Sequence, residues 1–369
     1  MPDGPDWPAP TVILRRRSET EDGEGSSPSA ARPREEPSPS ARLRMKPPRI
    51  GARIAKARIR AVMRHKDFIE VTDYTADEIL AIFQLARDMK SDRKKFARAL
   101  EGQTLAMIFE KSSTRTRVSF EVGMFQLGGH ALFLSSRDIQ LGRGEPITDT
   151  ARVLSRYVDG IMARTFAHKT VTDLAENASV PVINGLTDLS HPCQSMTDYF
   201  TAWEKFGGEL KGRKMAYVGD GNNMAHSLLV AAPKVGMDIA VATPPEYAPN
   251  PEVVAQAEAA AREAGTKVTV TTSMEVAIRD ADIVETDVWA SMGQEAEAEK
   301  RNRDFAGWMV DAQHMAGAKK DAIFMHCLPA HRGEEVSAAV IDSPQSVIYD
   351  EADNRLHVQK AILHTLMKR

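Results

Sequence analysis

Four hydroxyl residues and two arginines occupy six consecutive positions at Ser112-Ser113-Thr114-Arg115-Thr116-Arg117, directly after the apolar run at 104–109. Backbone N–H groups at a helix start lack partners and carry the positive end of the helix dipole. Hydroxyls and a guanidinium added to them make a cradle for a phosphate. At about 100° per residue, Arg115 and Arg117 leave a helix on roughly opposite sides. Arg115 is therefore expected to reach the anion, and Arg117 to sit in a structural ion pair.

Other polar residues close apolar runs in the same way. Arg164 ends the run at 160–164, and His191-Pro192-Cys193-Gln194 follows the one at 180–184. A lone histidine usually belongs to the core, but His191 stands near a helix start with Gln194 one turn on. Imidazole and amide can there grip one small group, such as a carbonyl oxygen and its NH₂. The stretch Gly219-Asp220-Gly221-Asn222-Asn223-Met224 lacks the third glycine of a dinucleotide fingerprint, which argues against a nicotinamide oxidoreductase. Asn222 and Asn223 read instead as polar groups at a helix start, with N-capping the ordinary role for one of them. Asp287 to Gly293 follows the run at 282–286, and Leu328-Pro329 follows that at 323–327. An acid, the Ser291 hydroxyl and the Cys327 thiol thus converge on one edge, although singly Ser291 reads as a turn residue and Cys327 as a buried apolar one. The acid suits an ammonium group. One half is built for a phosphate beside a carbonyl and the other for a zwitterionic amine, which describes group transfer from an acyl phosphate to an amine.

These positions need strands and helices to hold them. Apolar runs at 104–109, 131–135, 160–164, 180–184, 214–219, 238–243, 267–271, 282–286 and 323–327 alternate with helical patterns, the signature of parallel sheets covered on both faces. In such sheets ligands sit beyond the carboxyl ends of the strands. Thr75-Ala76-Asp77-Glu78 reads as a capping box after strand-like Phe68-Ile69-Glu70-Val71. We expect an α/β protein of two domains, each with a central parallel sheet flanked by helices, the second doubly wound. Residues 63–205 form the first domain and 206–350 the second, the boundary falling in the amphipathic segment from Pro192 to Phe206. The helix at 351–369 is expected to return to the first domain.

The chain has 369 residues, 42% of them hydrophobic, and a net charge of −3. Residues 1–66 carry 15 Arg and Lys against 8 Asp and Glu, which leaves the remainder at −10. Residues 1–48 hold 10 of the 20 prolines, so residues 1–62 are expected to be a disordered basic leader. Its basic, Ile-punctuated end at 48–66 could wrap as an amphipathic helix, but its many acids argue against a transit peptide. A start at Met63 or Met45 explains it more simply. No apolar run suits a membrane helix or a secretory signal. The two cysteines, Cys193 and Cys327, lack the spacing of a zinc site or a disulfide framework.

In order, FEKSSTRTR, DTARVLSRYVDGIMART, HPCQ, GDGNN, DVWASMGQE and HCLP make the chain similar to the aspartate/ornithine carbamoyltransferases over roughly Met63 to Arg369. DVWASMG resembles the amino-acid loop of the ornithine-using branch rather than the aspartate branch. The resemblance implies that carbamoyl phosphate binds first, its phosphate held by Ser113, Thr114, Arg115 and Thr116. Arg164 would bridge phosphate and carbonyl, while His191, Gln194 and Arg355 complete the carbamoyl pocket. L-Ornithine would be read by Asn223, Asp287, Ser291 and the backbone at Met292, with Cys327 and the Cys327 and Leu328 carbonyls near the attacking δ-amine. L-Citrulline and phosphate would leave, in arginine metabolism and most simply its biosynthesis. No metal, cofactor, covalent intermediate, nucleic acid or membrane is implied. A cytoplasmic homotrimer, or a multiple of trimers, is implied, with Gln140 reaching a neighbouring chain's phosphate and the 287–305 loop closing over ornithine. The charged residues of that loop, Glu295 to Arg303, otherwise read as an ordinary solvated run. A non-catalytic relative would have lost a chemical residue, and none is lost.

Overall fold

Parallel strands in two sheets organise the chain. The computed structural model describes residues 65–137, 144–290 and 295–368; the leader, Gln140, Ser291 and Met292 lie outside them.

The first sheet contains β1 (Thr104–Phe109), β2 (His130–Ser135), β3 (Gly160–Arg164) and β4 (Val182–Leu186), in the order β2-β1-β3-β4. The second contains β5 (Lys214–Val218), β6 (Asp238–Ala242), β7 (Val268–Thr271), β8 (Ile283–Thr286) and β9 (Ile323–His326), in the order β7-β6-β5-β8-β9. All pairings within these sheets are parallel. Their central strands are buried almost throughout, as strands covered on both faces must be. Each order reverses once, beside β1 and β3 in one sheet and beside β5 and β8 in the other, and such switch points open crevices for ligands.

The register delivers the functional residues side by side. Phe109 pairs with Arg164, so the loop after β1 starts next to that arginine. Val218 pairs with Thr286 and Thr286 with His326, so Gly219, Asp287 and Cys327 leave neighbouring strands together. Gly221 has a local reason to be glycine, because a Cβ there would stand 2.3 Å from Pro249 N.

Helices α1 (Ala76–Ser91), α2 (Thr114–Gln126), α3 (Ile147–Leu154), α4 (His168–Asn177) and α5 (Pro192–Lys205) accompany the first sheet in sequence. Those following it are α6 (Asn223–Ala231), α7 (Pro251–Ala264), α8 (Met274–Ile278), α9 (Ala298–Asp304), α10 (Ala312–Gly317), α11 (Ala338–Ile341) and α12 (Ile348–Met367). The capping box forms at α1: Glu78 N donates to Thr75 Oγ1 and Thr75 N to the Glu78 carboxylate. The returning helix α12 packs on α1, α2 and α5, burying Val358, Ala361, Ile362 and Leu363.

Three expectations need correction. Residues 68–71 are not a strand: Phe68 makes one bridge to Ile183, and Val71–Asp73 is a single 3-10 turn. β4 starts at Val182 rather than 180, because Pro181 has no N–H to give a ladder. Helix α5 is not amphipathic, since every residue from Pro192 to Trp203 is buried. Its hydroxyls escape the cost of burial by bonding back along the helix, Thr197 to the Cys193 carbonyl and Thr201 to that of Thr197.

Candidate active site

Three guanidiniums meet beyond the carboxyl ends of the first sheet. Ser113 caps α2, its Oγ accepting from Thr116 N at 3.2 Å, and its hydroxyl donates to Thr116 Oγ1. The buried Thr116 Oγ1 also accepts from Arg355 Nη2 at 2.6 Å and from Arg164 Nη1 at 3.4 Å. Arg115 donates from Nη2 to the Leu328 carbonyl at 2.5 Å. Arg117 turns away and pairs with Glu121 at 2.9 Å, lying over the Phe133 ring.

Neutral oxygens are thus the acceptors these cations have found. Among the described residues, none of Arg115, Arg164 and Arg355 is ion-paired with a carboxylate. Arg164 Nε, Arg355 Nε and His191 Nδ1 are buried without a hydrogen-bond partner. Burial, with Arg355 and Arg115 adding repulsion, holds the Arg164 pKa down to about 9, and burial with Arg115 nearby pushes that of Arg355 down. Such a cluster is short of one thing, an anion with several acceptor oxygens.

His191 joins this group. Its Nε2 lies 3.2 Å from Arg355 Nη2, and its backbone N donates to Ser227 Oγ at 2.7 Å. Burial and the three arginines push its pKa well below the ordinary imidazole value, so a neutral ring with one N–H faces the ligand space. Gln194 is buried one turn on. Its Nε2 donates to Asp198 Oδ1 at 2.7 Å and Glu351 Oε1 at 2.9 Å, and its Oε1 is buried without a partner.

The second sheet supplies the opposite wall of a cavity of about 310 Å³, whose lining includes Ser113, Arg115, Arg164, His191, Asn223, Asp287, Cys327, Leu328 and Arg355. Among the described residues, Asp287 is the sole carboxylate of this lining. Its Oδ1 accepts from Val288 N at 2.8 Å and from the Cys327 thiol at 3.2 Å. Desolvation of the sulfur, then the Asp287 carboxylate beside it, pushes the Cys327 pKa well up, so the thiol is a proton donor and not a thiolate. The two asparagines divide their work: Asn222 Oδ1 caps α6 through Met224 N at 2.9 Å, while Asn223 lines the cavity and donates to the Thr187 carbonyl at 2.6 Å.

Among the described residues, two groups of donors could in principle hold a metal, Asp287 with His326 and Cys327, and His331 with Glu334 and Glu335. In the first, the thiol keeps its proton. Both His326 nitrogens are engaged, Nδ1 by Leu328 N at 2.9 Å and Nε2 by Glu335 at 3.1 Å. That chemistry suits hydrogen bonding better than ligation.

Sequence reasoning did not pick out Lys111, Met224 and Pro329 in the cavity wall, nor the buried carboxyls behind Gln194. It also placed Arg301 in a solvated run, and this is wrong. Arg301 is buried and donates from Nη1 to Asp220 Oδ2 at 2.6 Å and to the Trp289 carbonyl at 2.9 Å, tying α9 to the loops after β5 and β8. The i,i+4 acid Glu297 offered a faint signal, but Asp220 is remote in sequence. Arg301→Ala would leave Asp220 buried and unpaired, with an expected loss of about 3–5 kcal/mol in folding stability, read by urea denaturation.

Two family models match the chain: the aspartate/ornithine carbamoyltransferase carbamoyl-P binding domain over residues 66–204 and the Asp/Orn binding domain over 211–366. An ornithine carbamoyltransferase of Pyrococcus horikoshii is 57% identical over 307 residues, covering 83% of this chain and 96% of the relative. An anabolic ornithine carbamoyltransferase of Pyrococcus furiosus is 58% identical over 304 residues, covering 82% and 96% respectively. A solved ornithine carbamoyltransferase structure from Pyrococcus furiosus superposes with a TM-score of 0.79 at 57% identity, covering 82% of this chain and 96% of that one.

Proposed function

The chain belongs to the aspartate/ornithine carbamoyltransferase family, and we propose that it transfers the carbamoyl group of carbamoyl phosphate to the δ-amine of L-ornithine, releasing L-citrulline and phosphate. The observation that carries this is the pairing, across one cavity and among the described residues, of three guanidiniums lacking carboxylate partners with a single carboxylate, Asp287. An acyl phosphate fits the first wall and an amino acid's ammonium the second. The relatives named above, one of them anabolic, support the biosynthetic direction of arginine metabolism.

In this account the phosphate takes the α2 N-terminus, the hydroxyls of Ser113, Thr114 and Thr116, and Arg115. Arg164 spans phosphate and carbonyl, and Arg355, His191 and Gln194 hold the carbamoyl group. Asp287 binds the α-ammonium of ornithine beside Asn223, Ser291 and the Met292 backbone, and the Leu328 and Cys327 carbonyls steer the δ-amine. The neutral δ-amine then attacks the carbonyl carbon, forming the C–N bond. Arg115, Arg164 and His191 stabilise the oxyanion, the C–O bond to phosphate breaks, and the departing phosphate takes the amine's proton.

No helix among the described residues is long and apolar enough to cross a membrane, and we place the reaction in the cytoplasm. A domain boundary near 205 agrees with the gap between the two matched regions. A trimer, or a multiple of trimers, is supported by the large apolar side chains left exposed at Val118 and Phe125 on α2 and at Leu132 and Phe133 on the edge strand β2. Gln140 is proposed to reach a neighbouring chain's phosphate in that assembly.

The pH dependence follows. An alkyl amine of pKa near about 10.4 must lose its proton before attack, so kcat/KM for ornithine should rise about tenfold per unit between about pH 6.5 and 8. His191 has its pKa lowered and is therefore already neutral below this window, and Cys327 has its raised and stays protonated through it. Neither should bend the line. A steady-state profile that levels off near pH 6.5 would point to a titrating imidazole and against this reading.

A further inference from the structure

An amide side chain has a donor end and an acceptor end of nearly equal shape, so a site that uses Gln194 must fix which end meets the ligand. Two carboxyl groups face its nitrogen. Asp198 stands four residues on along α5, on the same helical face, and Glu351 arrives from the first turn of α12. Both are fully buried, and Glu351 is itself anchored by His326 N donating to Oε2 at 2.9 Å. With the amide reversed, Gln194 Oε1 would point at two carboxyl oxygens and its nitrogen would lose both acceptors.

We propose that Asp198 and Glu351 are positioning residues that lock the Gln194 amide with its nitrogen inward, so that Oε1 is the end offered to the carbamoyl NH₂. The inference rests on the carbamoyl phosphate reading and deepens it. It explains a buried acceptor without a partner and assigns a purpose to two acids that touch no substrate. Burial, with Glu285 and Glu351 nearby, raises the Asp198 pKa well above the carboxylate range, and burial raises that of Glu351 to about 7. The pair can therefore carry a shared proton while both still offer an acceptor oxygen. The consequence is chemical discrimination. A ligand with NH₂ satisfies Oε1, whereas one with CH₃ in the same place leaves it unpaired.

The test uses two unreactive analogues differing only in that group, phosphonoacetamide and acetonylphosphonate, with inorganic phosphate as a probe of the intact anion cradle. The full chain should bind phosphonoacetamide roughly tenfold more tightly than acetonylphosphonate. In Glu351→Gln and Asp198→Asn one of the two facing carboxyls becomes an amide that accepts either orientation, so this preference should weaken in each and fall to within about twofold with both replaced, while phosphate affinity is kept. Retention of the preference in both variants would overturn the inference and leave the carbamoyl reading standing. Absence of the preference in the unaltered chain would overturn both. Loss of phosphate binding in both variants would also overturn it, because the acids would then hold the fold rather than the amide.

Discussion

Arg115→Ala is expected to lower kcat/KM for carbamoyl phosphate by about 10³-fold or more, the largest effect of any single substitution in this site. Its guanidinium sits at the N-terminus of α2 and donates to nothing but the Leu328 carbonyl among the contacts described, so it is available to a ligand and contributes little to packing. In the proposed reaction it meets the phosphate and the developing oxyanion together. Both kcat and KM should therefore suffer, because one contact serves binding and the other exists only in the transition state. Arg115→Lys should recover a minor part, since an ammonium supplies charge but not the planar fork. Steady-state kinetics with ornithine saturating decide it. A loss below about tenfold would show that the anion is held elsewhere.

The second large effect is on the other substrate. Asp287→Asn keeps the shape of the only carboxylate among the described residues of the cavity lining and removes its charge. Truncating one partner of a desolvated charge pair costs about 2–5 kcal/mol, so kcat/KM for ornithine should fall by roughly 30-fold to 4,000-fold. Binding of phosphate or phosphonoacetamide should scarcely change, because the guanidinium cluster belongs to the first sheet and α12. A variant that loses both substrates equally would mean that Asp287 organises the cavity through Cys327 and Asn222 instead of binding the amine.

Much of this was legible in the sequence because the chemistry lies at strand ends. Strand ends are marked by a change from apolar runs to polar residues, and parallel topology brings them together whatever the intervening helices do. Ser113 to Thr116, Arg164, Asp287 and Cys327 were read this way, all of them but Thr116 line one cavity, and helical geometry alone separated Arg115 from Arg117. What stayed hidden depended on partners distant in sequence. Nothing local marks Arg301 as buried, since its burial follows from Asp220, 81 positions away. Helix α5 looked amphipathic because its serine, threonines and aspartate are polar, but they bond within the buried helix or to α12, and only the packed fold shows it. Arg355 came from the resemblance and not from pattern: it sits within a helix, not at a strand end, and reaches the cavity because α12 crosses back to the first sheet. Of the carboxyls behind Gln194, Glu351 needed the same crossing, whereas Asp198 stands one turn on along α5.

The most direct test is amine-dependent phosphate release, with identification of the carbamoylated product, by the full chain supplied with carbamoyl phosphate and, side by side, L-ornithine, aspartate, putrescine or acetylornithine. The site described above predicts product with L-ornithine, whose α-ammonium Asp287 can hold, and little or none with the other three. Equal turnover with putrescine would show that the α-groups are not read, and carbamoylation of aspartate or of no amine at all would contradict the assignment.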